Sequence, residues 1–151
     1  MSYRKKFAIK HLRQDEIFSD TAIPVLAHYY GRMGKRIHTY LREMNDENLH
    51  SLRIALRRFR YVLELYCPSV KPNRFTEVYE LTVDLQNILG ERRDIDVMRD
   101  KLGEISARTG NALPTEIVHE LDTKRAQLDT LIPAKLEQFV ANKQVHKLVA
   151  D

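Results

Sequence analysis

Leu49-His50-Ser51-Leu52-Arg53-Ile54-Ala55-Leu56-Arg57-Arg58-Phe59-Arg60-Tyr61-Val62-Leu63-Glu64 is the stretch whose reading decides the fold. Its apolar residues Leu52, Leu56, Phe59 and Leu63 recur every three or four positions, the period of an α-helix and not the alternation of a strand. At about 100° per residue the same helix gathers His50, Arg53, Arg57, Arg60 and Glu64 within about 80° of one another, on a face separate from the apolar one. Arg58 falls off both faces. Upstream, Asn45-Asp46 can cap the helix; downstream, Cys67-Pro68 stops it.

Working outward, three more helical stretches follow from apolar spacing and the breakers between them. The first spans about Asp15 to Met44, stepping through Leu26, Tyr30, Met33, Ile37, Leu41 and Met44. Pro24 and the pair Gly31 and Gly34 predict a bend in it. The third follows Pro72-Asn73, carries Leu81, Leu85, Ile88, Leu89, Ile95 and Leu102, and ends between Gly103 and Gly110. The fourth opens at Pro114-Thr115 and runs to the C-terminus with a kink at Pro133. No useful β-alternating run interrupts them. Short connections make neighbouring helices antiparallel, so the expectation is an all-α, antiparallel four-helix bundle. It forms one domain over residues 1–151, with 1–13 as a flexible basic arm. The predicted core is Leu52, Leu56, Phe59, Leu63, Leu81, Leu85, Ile88 and Leu121.

The chain of 151 residues is 43% hydrophobic and 30% charged, a globular balance that is neither disordered nor membrane-embedded. Cys67 is the only cysteine, so no internal disulfide forms. The longest stretch free of Asp, Glu, Lys and Arg, Thr21 to Gly31, is too short to span a bilayer. Arg4, Lys5 and Lys6 are followed only by Phe7-Ala8-Ile9 before Lys10, which is no signal-peptide core. These features predict a cytoplasmic protein that does not enter membranes. The net charge of +4 conceals an asymmetry: Met1 to Arg74 holds 15 basic and 7 acidic side chains, and Phe75 to Asp151 holds 10 and 14. A polyanion is the partner class that such a first half attracts.

The arginine stripe narrows that class. Like charges one turn apart destabilise an isolated helix, so three guanidiniums and an imidazole in a row need a compensating anion or the carboxylate of Glu64. The planar guanidinium fork makes paired, charge-assisted hydrogen bonds to phosphate that a lysine cannot. An ordinary solvated face would intersperse Glu and Lys among the arginines.

The pattern His50-x-x-Arg53-x-x-x-Arg57-Arg58-x-Arg60, followed by Leu89-Gly90-Glu91-Arg92-Arg93-Asp94-Ile95-Asp96-Val97, resembles the CHAD family, the conserved histidine α-helical domain. The resemblance implies a non-catalytic all-α domain whose basic helices bind inorganic polyphosphate. It carries binding roles to His50, Arg53, Arg57, Arg58 and Arg60, and to Arg93. Secondary binding candidates are Arg32, Lys35, Arg36 and Arg92. Family members fused to a triphosphate tunnel domain carry a Glu-x-Glu-x-Lys motif that this chain lacks. Full-length members look like two four-helix halves related by a pseudo-twofold, whereas this sequence has one arginine helix. It is therefore expected to supply one half of the CHAD-type double bundle and to form a homodimer.

Three rivals compete with that reading. Glu47-x-x-His50 and Glu116-x-x-His119 repeat the spacing of di-iron carboxylate bundles, but His50 sits one turn from Arg53, where a divalent cation is repelled. The second pair points away from the apolar stripe of its helix, so no metal is expected. Gly31-x-x-Gly34 resembles the backbone-clamping loop of KH domains, which require a sheet that this sequence does not encode. Nucleic acid is then expected only as a non-specific polyanion. No nucleophile constellation, phosphate loop or dinucleotide fingerprint is visible, so neither enzyme activity nor a cofactor is expected.

Overall fold

A computed structural model describes residues 17–150, all of whose regular structure is helical. The 1–13 arm lies outside the described residues. A short 3-10 turn, Phe18–Thr21, leads into α1 (Ala22–Arg42). Next come α2 (Asp46–Leu65), a second 3-10 turn at Cys67–Ser69, α3 (Pro72–Thr109), α4 (Thr115–Ala141) and α5 (Lys143–Ala150). No strand occurs among the described residues, and no helix there is long and apolar enough to cross a membrane.

The helix ends follow local chemistry. The Asn45 side chain accepts the Asn48 amide at 2.8 Å and caps α2. Pro72 occupies the first position of α3, where the missing N–H is not needed. Gly110, at φ 70°, ends α3 in the left-handed region, and its amide closes on the Ser106 carbonyl at 2.9 Å.

The fourth helical stretch corrects the sequence reading, while the first runs unbroken. The expected bend in α1 does not break the helix. Pro24 falls in its first turn, which tolerates proline, and helical structure continues through Gly31 and Gly34. The fourth stretch is two helices, so the architecture has five. α4 passes through Pro133 and stops at Asn142, which is extended at φ −70° and ψ 126°. The Asn142 carboxamide oxygen accepts from the Gln144 and Val145 amides at 2.8 and 3.2 Å, capping α5. Its amide nitrogen donates to Glu77 at 3.0 Å. A side chain that caps one helix while tied to α3 fixes the break where no glycine or proline signals it.

Each consecutive pair among α1 to α4 is antiparallel, because partner numbers fall on one helix as they rise on the other. Between α1 and α2, the Thr21 and Tyr66 hydroxyls meet at 2.8 Å and the Tyr30 and Phe59 rings lie 6.1 Å apart. Between α2 and α3, the Tyr79 hydroxyl donates to Glu64 at 3.0 Å, and Gln86 lies beside Arg53 and Arg57. Asp84 with Lys135, Arg92 with Asp129, and Arg99 with Asp122 ladder α3 onto α4. α5 buries Val145 and Leu148 and packs on α1 and α3, with Arg74 donating to the Lys147 carbonyl at 2.9 Å.

Six of the eight predicted core residues are buried: Leu52, Leu56, Phe59, Leu63, Leu85 and Leu121. Leu81 and Ile88 are only half-buried at its edge. α3 is rolled so that Val78, Thr82, Leu85 and Leu89 face inward, which displaces Leu81 and Ile88 to one side. The same inward row continues into Arg92 and Asp96, each 5% exposed.

Candidate functional site

The arginine-bearing side of α2 faces a neighbouring helix on each flank. It forms the shared wall of two clefts. On the α3 side, His50, Arg53 and Arg57 stand with Gln86 around a cavity of about 90 Å³. On the α1 side, Arg58 joins Arg32 and Arg36, with Tyr29 and Ser51, around a cavity of about 230 Å³. Ile54, half-buried, lines both. The position of Arg58 off the stripe thus acquires a meaning that α2 alone cannot give it, since the groups completing its cleft belong to α1.

The charge state of the two halves differs in kind. Between α3 and α4 the cations are neutralised in place: Arg92 by Asp96 and Asp129, Arg99 by Asp122, Arg125 by Asp96 at 3.6 Å, and Lys135 by Asp84 at 3.1 Å. Around the clefts, Arg32, Arg36, Arg53, Arg57 and Arg58 have no carboxylate within 4.0 Å among the described residues. Five guanidiniums held on two packed helices, with no ion-paired counterion among the described residues, favour a positive local potential. The Gln86 carboxamide oxygen is buried without a hydrogen-bond partner beside the first cleft. A half-turn of that amide would present its NH2 donors there instead.

The remaining sequence candidates separate. Arg60 lines neither cleft: its Nε lies 3.3 Å from Glu64 and its guanidinium sits 5.3 Å from the Tyr61 ring centre. Glu64 also accepts the Tyr79 hydroxyl, a bond that raises the Tyr79 phenol above its ordinary pKa. Lys35 is exposed outside the α1 cleft that its neighbours Arg32 and Arg36 line. Arg93 is half-buried and lies two turns beyond Gln86 on the same face of α3, toward the His50 end of the first cleft.

Arg92 is a correction. As a secondary binding candidate it would need to reach solvent, but it is buried and bridges Asp96 and Asp129, with Arg125 on the far side of both carboxylates. Burial draws its pKa down, and the hydrogen bonds to Asp96 and Asp129 outweigh burial, so the guanidinium stays charged more firmly than usual. Burial, and then the charge of Asp129, push the Tyr40 phenol of α1 above its ordinary pKa. Arg92 is a packing element, held in a pairing with the buried Asp96.

The rivals can be placed too. Glu47, His50, Glu116 and His119 are all exposed. Among the described residues, no group of three or more His, Cys, Asp and Glu side chains is placed to hold a metal ion. Gly31 and Gly34 lie inside α1 and form no loop. Among the described residues, Tyr29 is the one Phe, Tyr or Trp side chain lining either cleft.

Sequence reasoning missed Tyr29, Ser51, Ile54 and Gln86. Ser51 was within reach, seven residues before Arg58 on the same face of α2. Tyr29 and Gln86 carry no signal until the helix registers are known.

A sequence model of the CHAD domain matches residues 5–103, about two thirds of the chain. No curated protein and no solved structure matches it.

Proposed function

Because the chain belongs to the CHAD domain family, we propose that it binds inorganic polyphosphate through the basic face of α2, with His50, Arg53 and Arg57 as the principal contacts. CHAD domains as a family are linked to polyphosphate binding. The observation that carries the reading is the contrast in pairing: arginines between α3 and α4 have internal carboxylates, whereas five around the α2 clefts have none among the described residues. Unpaired guanidiniums offer charge-assisted hydrogen bonds to phosphate oxygens. Arg58 contributes from the α1 side, and Arg93 extends the surface beyond His50. Arg60, held by Glu64, is a contact only if the ligand displaces that carboxylate. The protein acts in the cytoplasm without a cofactor and without catalysis of its own.

Among the described residues no Phe, Tyr or Trp lines the α2/α3 cleft, which favours a bare phosphate chain over a base-bearing one. The test compares long polyphosphate, single-stranded RNA and duplex DNA at equal phosphate concentration and two salt levels. Polyphosphate is expected to bind tightest, with a log–log salt slope of about −0.7 to −0.9 per phosphate contact if counterions are released as from nucleic acid. RNA or DNA binding as tightly as polyphosphate would reduce the protein to a general polyanion binder. An affinity independent of salt would remove the electrostatic mechanism.

The chain further supplies one half of a double antiparallel bundle, completed by a second copy. A twofold contact is the commonest closure of a homo-oligomer, and it would bring two arginine helices to a shared groove. Sedimentation at micromolar concentration is expected to show a dimer, at least with polyphosphate present. Monomer under both conditions sinks this part alone.

A further inference from the structure

The two clefts lie on opposite flanks of one helix and share a wall. Arg53 and Arg57 open toward α3, while Arg58, one residue later, opens toward α1, where Arg32 and Arg36 stand one turn apart. What separates the cavities is Ile54, a side chain without charge that reaches both. No carboxylate within 4.0 Å of any of these five arginines interrupts the path among the described residues. An anion crossing the ridge therefore meets cations on both sides and an apolar step between them. The crossing is short, on the order of the diameter of a helix with its side chains, about 10 Å.

Resting on the polyphosphate reading above, we propose that the Arg32/Arg36/Arg58 cleft is a second phosphate site, and that one polyphosphate chain occupies both clefts by passing over Ile54. The consequence is discrimination by chain length. A short oligophosphate seats in one cleft and gains only that cleft's contacts. A chain long enough to cross the ridge makes its second contact intramolecularly, at an effective concentration set by the few phosphates that bridge the gap. Such linkage raises affinity by about 10²–10⁴ over either site alone when the span fits. Both clefts are built on packed helices, so the distance between them is fixed and the threshold length is a property of the fold. The larger cavity beside α1 is also lined by Ser51 and Tyr29, residue types whose hydroxyls can donate to phosphate oxygens that the three guanidiniums leave unsatisfied.

Titration calorimetry with two probes tests this. One is tripolyphosphate; the other is a chain of about ten phosphates, long enough to cover the roughly 10 Å crossing with phosphates left for each cleft. The wild-type protein is expected to take two tripolyphosphates per protomer but one longer chain, bound at least tenfold more tightly. In Arg32→Gln/Arg36→Gln, one tripolyphosphate per protomer should remain, and the advantage of the longer chain should fall below threefold. Both substituted positions are exposed, and unchanged helicity by circular dichroism verifies the fold. A single tripolyphosphate site in the wild type overturns the inference, as does an undiminished long-chain advantage in the double variant. Each leaves polyphosphate binding itself standing. If neither probe nor long polyphosphate binds, the functional reading and this inference fall together.

Discussion

Replacing Arg53 and Arg57 together by glutamine is expected to weaken polyphosphate binding at least tenfold more than replacing Lys101 and Lys143. Both pairs remove two positive charges. Lys101 and Lys143 are exposed on α3 and α5, away from the lining of either cleft. A diffuse polycation would lose similar affinity from either pair, whereas a preorganised row loses charge-assisted hydrogen bonds, each contributing about 1.5–3 kcal/mol. Stability separates loss of function from damage. Arg53 and Arg57 are like charges at i and i+4, an arrangement that costs the helix about 0.2–0.5 kcal/mol. The double glutamine variant should therefore unfold at the same or a slightly higher denaturant concentration while binding poorly. Equal losses from both pairs would remove the shaped site. Full affinity in Arg53→Lys/Arg57→Lys would show that charge suffices and fork geometry does not matter.

The contrast between cleft arginines and paired arginines also explains which parts of the fold were legible beforehand. α2 could be read almost completely, because its cap, apolar stripe and stop are all local: Asn45, the row from Leu52 to Leu63, and Cys67-Pro68. The Asn142 break was not legible. An asparagine in a helical run is neutral until it becomes a cap, and its partner Glu77 lies 65 residues away. Pro133 lies inside α4, which continues through it and ends where a tertiary contact holds the Asn142 cap.

At the candidate site, charge and face were legible in the residues but partition was not. A helical wheel puts Arg53 and Arg57 together and leaves Arg58 apart, as the structure does. What the wheel lacks is the neighbour on each flank. α1 supplies Arg32 and Arg36 to one side, and α3 supplies Gln86 to the other. Arg92 failed in the opposite sense. Arginine beside Arg93 and Asp94 reads as surface, yet Arg92 and Asp96 stand seven residues after Leu85 and Leu89, extending the inward row of α3 by two turns. That register was the available signal, and residue type obscured it.

A large stability effect is expected from that register. Arg92→Met keeps the length and apolar body of the side chain but leaves Asp96, 5% exposed, with Arg125 at 3.6 Å as its remaining cation. Breaking a buried pair by removing one partner costs about 3–5 kcal/mol, because an uncompensated charge stays inside. Urea unfolding should show the midpoint falling sharply with the slope unchanged, the signature of lost stability without a change in the surface exposed. Arg92→Met/Asp96→Leu removes both charges and should recover much of the loss, since a well-packed apolar replacement of a buried pair is often neutral. A single variant within about 1 kcal/mol of wild type would contradict the buried-pair assignment. The double variant also decides whether Arg92 serves the ligand. Folded protein lacking Arg92 should bind polyphosphate with wild-type affinity, because the clefts on α2 are left intact. Weaker binding by a fully folded double variant would return Arg92 to the binding surface.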